Sequence, residues 1–134
     1  MGSDFKEMLM KQILAAFLLL FSFSVSADNY YKASVTRVVD GDTMDMLIEL
    51  PLGIILKERV RILDYDAPET WRPKNEQERI AGNKATEKAK ELLSDGDIRV
   101  SIHGRGSFGR VLVSIKLSDG RDFANVMKEL GHIK

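Results

Sequence analysis

Asp42, Arg61, Asp66, Glu69 and Arg110 are the side chains through which this sequence could do chemistry. Three of them fall within Arg61-Ile62-Leu63-Asp64-Tyr65-Asp66-Ala67-Pro68-Glu69-Thr70; Asp42 lies upstream in Asp40-Gly41-Asp42-Thr43, and Arg110 lies downstream after Gly109. Two arginines with a group of carboxylates suit a metal-assisted attack of water on a phosphodiester. The acids hold a cation and direct water, while the guanidinium groups grip phosphate oxygens as charge builds. Cysteine is absent, and His103 and His132 are too isolated for an imidazole site, so a bound metal would have oxygen ligands only. That chemistry selects a hard cation such as calcium.

Each residue also has a plainer reading. Asp40-Gly41 is a tight-turn signal, and the motif taken alone is more often a hairpin than a cation site. In the functional reading, Asp42 aims a carboxylate at the cation just past the turn. Pro68 bends the chain after Ala67, which would bring the Ala67 carbonyl to the same cation. Glu69 is either a loop acid or the group that orients or deprotonates the attacking water. Arg110 is either an edge arginine or a phosphate clamp. Arg61 and Asp66 are five residues apart, so an unbroken strand would place them on opposite faces unless a twist or bulge intervenes. Arg61 nevertheless needs an anionic partner among its apolar neighbours; Arg59 reads as solvated. Phe108 reads as core packing more readily than as a stacking surface, and Trp71 as packing or a rim contact.

The elements that would position these groups follow from periodicity. Tyr31–Val39 is rich in β-branched residues and reads as a strand. Thr43–Leu50 alternates, with Met44, Met46 and Ile48 on one face. After the turn Pro51-Leu52-Gly53, a third strand is expected over Ile54–Asp66. The period then changes: Ala81, Ala85, Ala89, Leu92 and Leu93 mark the apolar face of a helix over Asn75–Leu93. Two further strands, Ile98–His103 and Val111–Leu117, flank a glycine-rich connection, and Phe123–Leu130 reads as a short helix with Gly131 as its cap. This order predicts a mainly β, α+β fold. It is a five-stranded Greek-key barrel of the OB type, with a helix between strands three and four and a short C-terminal helix.

Lys+Arg and Asp+Glu both number 20, which argues against a module that holds nucleic acid through a basic surface alone. Lys6 and Lys11, the apolar run Ile13–Phe21 and the small residues Val25 and Ala27 fit a secretory signal cut after Ala27. The expected organisation is therefore a signal over residues 1–27 and one domain over 28–134, secreted or periplasmic. The alternative is an uncleaved membrane anchor, for which the run is short. Removing residues 1–27 takes away two charges of each sign, and the remainder stays neutral.

Asp40-Gly41-Asp42-Thr43, Arg61 through Thr70 and Phe108-Gly109-Arg110, in that order and at that spacing, resemble the staphylococcal nuclease family. The resemblance covers about Tyr30 to Lys134. It implies an OB-fold, calcium-dependent nuclease that acts on DNA and RNA with little sequence preference, favouring single-stranded or frayed substrate, and leaves a 3′-phosphate. It further implies a monomer with no stable membrane association once the signal is removed. By resemblance, Asp42, Asp66 and the Ala67 carbonyl are the calcium ligands. Glu69 acts on the attacking water, Arg61 and Arg110 bind phosphate, and Asp40 is a nearby supporting acid. Non-catalytic relatives lose these carboxylates or arginines, whereas all are present here, which leaves a purely binding role as the minor alternative. The sequence departs from the family pattern at Ser107 and Phe108, which replace a lysine and a tyrosine, and at Ala67, which replaces a threonine. Gly131–Lys134 is not followed by the family's longer C-terminal segment with its stacking tyrosines. Weaker or altered substrate binding with intact chemistry is the expectation.

Overall fold

The computed structural model describes residues 2–20 and 28–134. Strands β1 (Tyr31–Asp40), β2 (Thr43–Glu49), β3 (Ile55–Ile62), β4 (Ile98–Arg105) and β5 (Val111–Lys116) close into a barrel in the order β1-β2-β3-β5-β4. Helix α1 spans Gly2–Leu20, α2 spans Glu76–Leu93 between β3 and β4, and α3 spans Phe123–Glu129 after β5. The first three strands form an antiparallel meander. Closure comes from antiparallel pairing of β1 with β4 and from parallel pairing of β3 with β5, where Val60, Arg61 and Ile62 pair with Val111, Leu112 and Val113. This is the OB-type α+β barrel expected from the strand order.

Register is set by burial. Met44, Met46 and Ile48 of β2 are fully buried. Each contributes roughly 1.5–3 kcal/mol by leaving water, so a one-residue slip that exposed all three would cost several kcal/mol. Register shifts in β1 between Val35 and Arg37 and between Val38 and Asp40 curl the strand toward the turn at Gly41.

Asn75 caps α2 by accepting from the Glu78 N–H at 2.8 Å. Ala85, Ala89 and Leu93 face the core as the apolar stripe required, and Gly82 joins them. Helix α3 begins at Asp122, whose side chain accepts from the Asn125 N–H at 2.9 Å, and buries Phe123, Val126 and Met127. The Phe123 ring meets Tyr65 edge to face, with centroids 6.3 Å apart. Through that contact α3 props the segment that follows β3. The cleavage point expected after Ala27 lies outside the described residues. No helix among the described residues is long and apolar enough to cross a membrane.

Candidate active site

The turn between β1 and β2 delivers Asp42 to a buried position, and three donors then fix its carboxylate. Oδ1 accepts from Thr43 Oγ1 at 2.9 Å, Oδ2 accepts from the Ala67 N–H at 2.8 Å, and Arg61 Nη1 lies 3.3 Å from Oδ2. The turn can approach so closely only because residue 41 has no side chain. A Cβ there would stand 2.8 Å from the Ala67 Cβ and 3.1 Å from that of Ala85. The Asp42 carbonyl accepts from the Ile62 N–H at 2.9 Å, which ties the turn to the end of β3.

The third strand is shorter than the sequence suggests: it stops at Ile62, not Asp66. Asp64 then adopts a left-handed conformation, φ 56°, a geometry that aspartate tolerates better than most residues. The reversal removes the parity problem, because Arg61 and Asp66 no longer share one strand. Arg61 Nη2 donates to Asp66 Oδ1, and Nη1 donates to the carbonyls of Tyr65 (2.5 Å) and Ile62 (3.2 Å). One guanidinium thus joins Asp42, Asp66 and the turn between them. Asp66 itself is largely solvent-facing, its side chain 76 % exposed, whereas Ala67 is buried.

Glu69 follows Pro68 on a loop pressed against α2. Position 82 is glycine for a steric reason: a Cβ there would lie 2.8 Å from the Glu69 carbonyl oxygen and 3.0 Å from that of Pro68. The Glu69 carboxylate sits 3.4 Å from Lys134 Nζ, and the Lys134 N–H donates to the Asp66 carbonyl at 3.2 Å. Tyr65 Oη donates to the His132 carbonyl at 2.6 Å. The segment after α3 therefore lies beside Asp66 and Glu69.

Arg110 approaches from the β4–β5 hairpin. Its Nη1 is 3.5 Å from Thr43 Oγ1 and its Nε is 3.4 Å from the Ser107 carbonyl, both long contacts that leave the guanidinium available to an anion. Arg105 braces the hairpin, donating to the Gly109 carbonyl at 2.7 Å and pairing with Glu58 at 3.0 Å. Phe108 is not a core residue. It stands at the hairpin tip with φ 61°, 96 % exposed, and its ring lies 5.7 Å from the Arg110 guanidinium. Arg59 is not merely solvated but forms a bidentate pair with Asp45 on the surface. An open cavity of about 610 Å³ connects the two arginines, with Arg61, Asp64, Asp66, Ser107 and Arg110 on its walls.

Negative charge is crowded behind this cavity. The Asp40 carboxyl is pushed up to about 7, first by burial and then by its hydrogen bond and repulsion with Asp42, with a smaller contribution from Glu69. Burial, followed by the charges of Asp42 and Asp40, raises the Tyr65 phenol as well. The acids and the Ala67 carbonyl offer oxygen donors, and the crowded acids favour a positive ion, so these residues fit a hard cation in their chemistry. Among the described residues no three acidic or imidazole side chains form a ready-made cage.

A family described as staphylococcal nuclease homologue matches residues 59–132, a stretch that includes Arg61, Asp66, Glu69 and Arg110. The chain belongs to that family. Similar proteins include endonuclease YhcR of Bacillus subtilis (strain 168), 37 % identical over 112 residues, and micrococcal nuclease of Shigella flexneri, 28 % identical over 103 residues. An uncharacterized endonuclease of Escherichia coli is 25 % identical over 122 residues. These alignments cover 78 %, 77 % and 91 % of this chain, and 9 %, 51 % and 71 % of the respective relatives. This member of the family thus spans a small part of the first and about half of the second.

Some contributors lie outside the motifs that the sequence singles out. Gly82 had a signal, an isolated glycine inside a helical period, which usually marks close packing. The bracing by Arg105 and the approach of Lys134 depend on tertiary neighbours and had no local signature.

Proposed function

We propose that this chain is a calcium-dependent, sugar-nonspecific endonuclease that hydrolyses phosphodiester bonds of DNA and RNA and leaves 3′-phosphate ends. The supporting observation is the guanidinium of Arg61 fixed between Asp42 and Asp66, across an open cavity from Arg110. The nuclease names of its relatives agree with that reading. Residues 28–134 would be the working domain and residues 1–27 a secretory signal, giving a secreted or periplasmic monomer.

Asp42, Asp66 and the Ala67 carbonyl would hold the cation, with water and a phosphate oxygen completing its shell. When bound, it supplies positive charge to the phosphoryl oxygens. The remaining work belongs to the chain. Glu69 orients a water opposite the leaving 5′ oxygen and accepts its proton; the water oxygen bonds to phosphorus as the bond to the 5′ oxygen breaks, and that oxygen takes up a proton from solvent. Arg61, held by two carbonyls and Asp66, presents a preset fork to one phosphate oxygen. Arg110, loosely held in the free protein, closes on another as charge develops. Asp40 supports Asp42 by accepting from its N–H at 3.2 Å.

The test is hydrolysis of single-stranded DNA and of RNA with added calcium and with a chelator, followed by end-group analysis. Undiminished cleavage in chelator removes the cation from the mechanism. Unchanged cleavage by Glu69→Ala removes the water-directing role.

A further inference from the structure

Trp71 is the sole tryptophan of the chain and is 72 % exposed. A single exposed apolar residue is ordinary, so exposure alone argues nothing. Its setting does. The loop from Glu69 to Asn75 is clasped at both ends by α2. The Glu78 carboxylate accepts from the Lys74 N–H at 2.8 Å, and the Lys74 and Glu69 main chains together hold it below the usual carboxylate range. Gly82 admits the Glu69 backbone at the near end, and the Asn75 cap closes the far end. Between the clasped ends, Arg72 is held left-handed at φ 53°, which a residue with a Cβ adopts rarely. Its guanidinium lies 4.4 Å from the centre of the Trp71 ring. A mobile surface tryptophan needs no such anchoring.

We propose that Trp71 and Arg72 form a stacking platform for an unpaired nucleobase of the strand bound at the adjacent site. This rests on the nuclease reading. Trp71 is two residues from Glu69, so their backbones are at most roughly 7 Å apart. A stacked strand rises about 3.4 Å per nucleotide, so the two backbones lie within about two nucleotide steps of each other along one bound strand. Arg72 covers one face of the indole, which leaves the opposite π-face to any base, and its charge favours the adjoining phosphate. A base inside a duplex cannot present its face, so the platform selects single-stranded or locally opened substrate. The choice of base is left free, since every base has a π-face.

A sole tryptophan makes the test direct. In chelator at low salt, titration with a short oligothymidylate is expected to quench the indole emission saturably, and an abasic strand of equal length to bind several-fold more weakly. With calcium, Trp71→Ala is expected to raise KM for single-stranded DNA about 5- to 100-fold, the range that stacking of one base supplies, with kcat within a factor of two. Trp71→Phe restores most of the loss, and Arg72→Ala raises KM to a smaller extent. Equal KM for Trp71→Ala and the unsubstituted protein overturns the platform while leaving the nuclease reading intact. A fall in kcat at constant KM overturns it as well. Absence of both binding and cleavage in the unsubstituted protein overturns the nuclease reading, and the platform with it.

Discussion

Gly82→Ala is a sharp perturbation because it adds one carbon between α2 and the loop that carries Glu69. The new Cβ would stand 2.8 Å from the Glu69 carbonyl oxygen and 3.0 Å from both the Glu69 carbonyl carbon and the Pro68 carbonyl oxygen. Ordinary carbon–oxygen contacts lie at about 3.3–3.6 Å, so backbone must move by roughly half an ångström or more. Neither side gives easily: the helix is seated by Ala85 and Ala89, and the loop follows the buried Ala67, whose N–H is bonded to Asp42. Overpacking costs about 1–3 kcal/mol, but alanine regains about 1 kcal/mol of helix propensity over glycine. The net loss of stability is therefore about 0–2 kcal/mol. Activity should suffer more, since a displacement of about 1 Å at a reacting group costs about a hundredfold. We expect kcat to fall about 10- to 100-fold while the protein remains folded. Gly96→Ala, where the added carbon meets nothing within 4 Å, should leave both quantities unchanged. Thermal denaturation beside steady-state cleavage of single-stranded DNA decides it. A kcat within twofold of the unsubstituted protein would refute the claim that Gly82 sets the position of Glu69, provided that Glu69→Ala is inactive in the same assay.

Arg110→Ala should lower kcat about 100- to 1000-fold, the usual effect of removing one donor from a developing oxyanion. Arg110→Lys should recover little of this, because an ammonium lacks the fork; single-turnover cleavage reads both. For Asp40, the folded pKa of about 7 lies above its ordinary value of 3.8. Its contribution is then fully present below about pH 4 and is lost as pH rises through about 7. In chelator, the unsubstituted protein should lose melting temperature across that window relative to Asp40→Asn; parallel curves would contradict it. Tyr65→Phe removes the 2.6 Å bond to the His132 carbonyl and should cost about 1 kcal/mol in urea denaturation. No change in the urea midpoint would contradict that contribution.

Most of the framework was legible in the residues because burial writes a period into the sequence. The alternation at Met44, Met46 and Ile48 and the spacing of Ala85, Ala89 and Leu93 each identify an element and its inward face. Arg61 and Asp66 show where that logic ends. Period counting assumes an unbroken strand, whereas the single left-handed residue Asp64 reverses the chain and brings the two together. Phe108 fails for a related reason: an aromatic is normally core, but a positive φ at a hairpin tip turns it outward. Lys134 is 65 residues from Glu69 and meets it only through the way α3 packs, which no local pattern encodes.

The parallel seam between β3 and β5 has a kinetic consequence. Arg61 and Arg110 share a site only when Val60 has paired with Val111, a closure between distant parts of the chain that is slow and entropically costly. The first hairpin can order locally, yet neither it nor α2 holds both arginines. Catalytic competence should therefore arise in one step with the final strand docking. It should share its refolding rate and its denaturant midpoint with the whole barrel rather than with any earlier intermediate.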